Sequence, residues 1–83
     1  PNPFNPQTTF KFLLDEAGVV NLTVYDLAGR QVRRLASGMR EAGMHEVSWQ
    51  GDDEAGGSVA SGVYMARLET AQGTALRRLV LMK

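Results

Sequence analysis

The sequence predicts an all-β chain: a small antiparallel sandwich of two layers and six to seven strands. Two observations carry this prediction. Short runs alternate apolar with polar residues, the period of a strand with one buried face. Between them, at short spacing, stand clusters of glycine, aspartate, asparagine and serine, and no long helix is predicted. Many short strands separated by turn residues pack as two sheets rather than as an alternating strand and helix fold, with a small open barrel as the runner-up.

Taken in order, Pro1-Asn2-Pro3-Phe4-Asn5-Pro6 holds all three prolines. Their fixed φ and missing donors make residues 1–7 an extended entry segment, with Phe4 as anchor. Thr8 to Leu14 is the first strand, with Phe10, Phe12 and Leu14 on one face and Thr9 and Lys11 on the other. After a turn at Asp15-Glu16-Ala17-Gly18, Val20, Leu22 and Val24 resume the inward face, and the two strands are expected to form a hairpin or to face each other. Asp26-Leu27-Ala28-Gly29 places glycine where a type I turn with a bulge needs positive φ. Gln31 to Leu35 is the third strand; Val32 and Leu35 fall three apart, which breaks alternation and predicts a bulge or an early exit. Ala36 to Ala42 reads as a loop.

Met44 to Trp49 is strand four. From Gln50 to Ser61 runs a loop rich in glycine and small polar residues, whose Asp52, Asp53 and Ser58 can bond local amides, so it is expected to be ordered. Gly62 to Glu69 is strand five, followed by a tight turn at Ala71-Gln72-Gly73 and by Ala75 to Met82 as strand six. The expected core is Phe10, Phe12, Leu22, Val24, Val47, Trp49, Tyr64, Leu68 and Leu79, each contributing on the order of 1.5–3 kcal/mol on burial.

Composition narrows the function. The 83 residues support one domain, 1–83, and contain no cysteine, so neither disulfides nor thiolate metal sites staple it. Nine basic residues balance nine acidic ones. That balance removes the broad attraction to nucleic acid or anionic membranes, and no apolar run is long enough for a membrane span. The start at Pro1 reads as that of an excised or processed fragment.

Catalysis needs convergent groups, and a lone His45 beside Val47 and Trp49 on an alternating strand reads as a partly buried side chain bonded to backbone. No catalytic residue, metal site or cofactor is assigned. Asp52-Asp53-Glu54 offers oxygens for a cation but lacks the alternating acids and later glutamate of a helix-loop-helix calcium loop. Arg33-Arg34 and Arg77-Arg78 could grip an acidic partner, yet adjacent strand residues point to opposite faces, so neither pair makes a patch alone. Their ordinary role is edge charge that discourages aggregation, and Lys83 fits the same role. Trp49 could stack on a sugar, although an inward strand position makes it core.

Four stretches stand in a familiar order: Pro1 to Pro6, Val24 to Arg30, Ala42 to Trp49 and Val59 to Tyr64, closing on the basic-then-apolar tail Arg77 to Lys83. In these the chain resembles a type IX secretion C-terminal sorting domain, and its middle is similar to the immunoglobulin-like domain of flagellar hook-capping proteins. Both resemblances imply an immunoglobulin- or fibronectin-III-like sandwich. The first implies a non-enzymatic address label on a larger secreted protein. Its partners are then the outer-membrane secretion machinery and an upstream cargo domain of the same chain, at the surface of a Gram-negative bacterium. The matching positions are Pro1, Asn2 and Pro3 at the entry, Gly62 and Tyr64 in the central hairpin and Lys83 at the end, with Arg77 and Arg78 in the tail as further recognition candidates. Gln50 departs from the pattern, where an acid or asparagine commonly follows the tryptophan. Two other functions stand beside this one: a carbohydrate-binding accessory module, which requires Trp49 or Tyr64 exposed, and a hook-cap-like assembly domain. The domain itself is expected to be monomeric.

Overall fold

A computed structural model describes residues 7–83, so the expectations placed on Pro1 to Pro6 lie outside the described residues. Six strands follow one another: β1 (Thr8–Leu14), β2 (Gly18–Asp26), β3 (Gln31–Arg40), β4 (Gly43–Trp49), β5 (Gly62–Thr70) and β6 (Gly73–Leu81). They form two sheets, ordered β1-β4 and β3-β2-β5-β6, and every pairing is antiparallel. The all-β sandwich expected from the sequence is the observed fold.

The first two strands do not form a hairpin. β1 pairs along its whole length with β4, from Thr8 opposite Trp49 to Leu14 opposite Gly43. The turn after Leu14 therefore carries the chain across the sandwich, and β1 and β2 face each other through their apolar rows. The next turn is the one the glycine position demands. Gly29 has φ +86°, its amide donates to Asp26 O at 3.0 Å, and the Asp26 amide donates to Arg30 O at 3.0 Å.

The third strand is longer than its pattern suggests, because Ala36 to Arg40 continues the ladder instead of forming a loop. Two irregularities explain the misleading spacing. The register passes from Leu22 opposite Ala36 to Thr23 opposite Arg34, and from Val24 opposite Arg33 to Tyr25 opposite Gln31. Leu35 and Val32 are the extra residues, so the alternation resets at each. Ala36 then points inward, 5% exposed, and the small polar Ser37 and Gly38 can stay in the ladder because β3 is an edge strand with a solvated outer face. At the other end, β5 and β6 meet in a two-residue turn, with Thr70 opposite Gly73.

Of the predicted core, Phe10, Leu22, Val24, Trp49, Tyr64 and Leu79 are buried. Phe12, Val47 and Leu68 are half-buried instead, packed against that cluster. Two strands cannot cover four, and Leu68 lies where the smaller sheet's cover is incomplete; Phe12 and Val47 stand on the smaller sheet itself, Phe12 lining the same cleft as Leu68. Leu14, Val20, Ala36, Ala66 and Leu81 complete the core. Among the described residues none of the elements is a helix, so none there is long and apolar enough to cross a membrane.

Candidate functional site

The loop between β4 and β5 is ordered by its own carboxylates. Asp53 Oδ1 accepts from the amides of Ala55 (3.0 Å) and Gly57 (2.9 Å), while the Asp53 amide donates to Gly57 O at 2.9 Å. One aspartate thus closes a turn that would otherwise leave its amides to water. Asp52 turns outward to Arg33: Nη1 donates to Asp52 Oδ2 at 2.8 Å and to Asp53 O at 2.9 Å. Glu54 Oε1 accepts from the Arg34 amide. The acid cluster is therefore engaged with β3, capping an amide of that edge strand. Among the described residues no group of three or more His, Asp or Glu is placed to hold a metal ion.

Beneath the loop lies the aromatic pair. Trp49, 1% exposed, donates its indole N–H to Asp52 O at 2.9 Å and meets the Tyr64 ring edge-on at 5.2 Å between centroids. Tyr64 donates its hydroxyl to Ala60 O at 2.5 Å, a tyrosine tied back to the corner that precedes its strand. With Trp49 1% and Tyr64 7% exposed, neither ring is available as a sugar platform, which removes the basis of the carbohydrate reading.

His45 is half-buried, its Nε2 2.7 Å from Glu41 O and its ring stacked on Phe12 at 5.5 Å. Asp26 holds the β2–β3 turn. The Arg30 backbone N–H, its guanidinium and the Ala28 N–H together hold the Asp26 carboxyl below its ordinary value of 3.8.

The tail residues are distributed rather than gathered. Gly62 opens β5 opposite Leu81, and Tyr64, opposite Leu79, belongs to the core. Arg77 and Arg78 are exposed on opposite faces of β6, which is the edge of the larger sheet. Lys83 is tied to the central loop, its amide donating to Ser61 Oγ at 3.0 Å and its ammonium bonded to Ser58 Oγ. The sequence candidates within the described residues thus form no single site.

Two features escaped sequence reasoning. Across the outer face of β2 and β5, Arg67 Nη2 donates to Tyr25 Oη at 2.6 Å, its guanidinium carbon lies 4.8 Å from the Tyr25 ring centroid, and Nε sits 3.5 Å from Glu69 Oε1. Thr23, only 2% exposed although its side chain is polar, donates to Asn21 Oδ1 at 3.0 Å in the same row. Only the β2–β5 register brings these residues together. The second feature is an apolar cleft of about 110 Å³ between β1 and β6, lined by Phe10, Phe12, Leu22, Leu68 and Arg77 among others.

The strand order, the two unequal sheets and the tied tyrosine define an immunoglobulin-like sandwich that shows no convergent acid, base and nucleophile among its described residues. The FlgD Ig-like domain family matches residues 5–74, and the chain belongs to that family. It is similar to the crystal structure of FlgD from P. aeruginosa, with 26% sequence identity and a TM-score of 0.69. That likeness covers 92% of this chain and 61% of the FlgD chain, so the chain spans less than two thirds of that relative's length. No curated protein matches it. Of the two resemblances read from the sequence, the comparisons support the hook-cap one; the type IX sorting domain is not among their findings.

Proposed function

We propose that the chain is a non-catalytic assembly domain of a larger protein, of the hook-cap type, binding protein partners through sheet edges and surface side chains. The observation that carries this reading is membership of the FlgD Ig-like family. Chemistry agrees with it. His45, Asp26, Asp52 and Asp53 are each occupied by backbone or guanidinium partners, so none of these four is poised as an acid or base. The expected setting is the secreted or surface compartment of a Gram-negative bacterium.

A second reading, type IX sorting, is favoured by one observation: β6 is an edge strand that carries both exposed tail arginines. One experiment separates the two. The parent protein is expressed in its own cell with and without this domain, and its fate is followed by fractionation and electron microscopy. The assembly reading expects the shortened parent to leave the cytoplasm normally but fail to join its complex. Retention of the shortened parent before the outer membrane would favour sorting, and export and assembly equal to the intact protein would refute both.

A further inference from the structure

The inner row of β6 is Ala75, Arg77, Leu79 and Leu81, beside the row of β5 that holds Tyr64, Ala66 and Leu68 on the same face. Leu79 and Leu81 are buried while Ala75 and Arg77 are exposed. Half of a row that points into the sandwich is thus uncovered. The cause is the strand count: the smaller sheet ends at β1, which among the described residues pairs only with β4. Among the described residues no strand lies beside β1 over this half of β6.

Two properties of that slot point to its occupant. Its floor is the cleft between β1 and β6, about 110 Å³, walled by Phe10, Phe12, Leu22 and Leu68. An apolar cavity of about 150 Å³ holds a benzene molecule, so this one suits a single branched aliphatic side chain. The charged residues that line it, Lys11 and Arg77, are both basic, and the Arg77 guanidinium carbon lies 5.4 Å from the Phe10 ring centroid. Along β1, alternate residues turn their amides and carbonyls away from β4, the template on which an extended chain adds.

We infer that this slot receives an extended strand of a partner protein, hydrogen-bonded to the free edge of β1. The strand seats an aliphatic side chain in the cleft and carries an acidic residue for Arg77. The inference rests on the assembly reading and names the partner's chemistry. Backbone pairing supplies affinity in this mode, the cleft sets register, and the basic rim selects by charge. The β3 edge is a poorer template, since it is bulged twice and has an amide capped by Glu54.

The test uses the intact 83-residue chain, labelled for NMR, and a heptapeptide of alternating leucine and aspartate as probe. The expected result is amide shift changes concentrated in β1 and β6 and slowed exchange of alternate β1 amides. Binding should weaken about tenfold in Arg77→Glu and weaken with added salt. Ala75→Phe, an exposed position that plugs the slot, should abolish binding without lowering the melting temperature. A peptide with lysine in place of aspartate is the control. Equal binding of both peptides, equal binding by Arg77→Glu, or no shifts at millimolar peptide would overturn the inference. So would binding that appears only in Phe4→Ser, because the slot would then belong to the chain's own entry segment. None of these outcomes depends on whether the parent assembles in the cell, so failure of the slot and failure of the assembly reading remain distinguishable.

Discussion

Trp49→Ala probes the join between the sandwich and its ordered loop. The indole is 1% exposed, so its removal forfeits nearly all of the burial of the chain's largest side chain. Truncating a buried tryptophan to alanine costs about 3–5 kcal/mol, because the surroundings relax only partly into the space. The lost set includes the hydrogen bond to Asp52 O at 2.9 Å and the edge-on contact with Tyr64 at 5.2 Å. Against this, about 0.05–0.15 kcal/mol per residue gives an 83-residue domain a total stability of about 4–12 kcal/mol. The variant should therefore lose about a quarter of its stability or more and melt at least about 12 °C lower. Trp49→Phe keeps an aromatic body but leaves the Asp52 carbonyl without its donor, and should cost about 1–3 kcal/mol. A double-mutant cycle with Tyr64→Leu should return a coupling of about 0.5–1.5 kcal/mol. Unfolding must be followed by far-UV circular dichroism in urea, since Trp49 is the sole tryptophan and its fluorescence disappears with it. A Trp49→Ala variant that melts within about 5 °C of the parent would refute the reasoning.

Gly51→Ala should destabilise by about 1–2 kcal/mol by thermal melting: φ is +72°, and the added methyl would stand 3.3 Å from both Leu81 methyl groups. Retained stability there would mean that the loop adopts another path. Arg33→Ala should leave global stability within about 1 kcal/mol while speeding amide exchange from Asp53 to Gly57, because it frees the loop from β3. Unchanged exchange would show that Asp53 alone fixes the turn. Asp26 has its folded-state carboxyl held below 3.8, so its ionised form adds stability above that value, which drains away as the pH falls through and below it. Asp26→Asn should accordingly be less stable than the parent at neutral pH, with the gap closing in acid. A gap that stays constant down to strong acid would place the effect in shape rather than charge.

The strands were legible wherever one face is buried and the other wet. Phe10 to Leu14 and Val20 to Val24 alternate cleanly because nothing interrupts their ladders, and Gly29 announced its turn because no other residue sits there without strain. Legibility failed where the physics is not local. The bulges at Val32 and Leu35 make β3 look short, since each extra residue inverts the pattern of inward positions. That Leu68 is only half-buried follows from the strand count of the opposite sheet, which no stretch of sequence encodes. The cleft is invisible for the same reason: Phe10, Leu68 and Arg77 come from three strands, and only the fold brings them together. The engagement of Asp52 with Arg33, nineteen residues apart, is likewise a product of the tertiary path.

A formal net charge of zero argues against a polyanionic partner but not against a basic docking edge, because five of the nine acidic side chains are engaged within the fold. Asp26, Asp52, Asp53, Glu54 and Glu69 all hold protein groups: a turn, an arginine, the loop's own amides, a β3 amide and the Arg67 side chain. The charges of Asp26, Asp52 and Glu69 are answered by a guanidinium within 3.5 Å and contribute little field beyond a Debye length of about 8 Å. Arg77 and Arg78 belong to no ion pair among the described residues. They sit next to each other on an edge strand and therefore point to opposite faces, Arg77 to the cleft and Arg78 to the outer face beside Met65. What made the pair useless as a patch in the sequence makes it effective at an edge, where an incoming strand passes within reach of both faces. An edge of this kind would let a chain with no net charge discriminate among partner strands by charge, and the salt dependence of strand binding is where that would show.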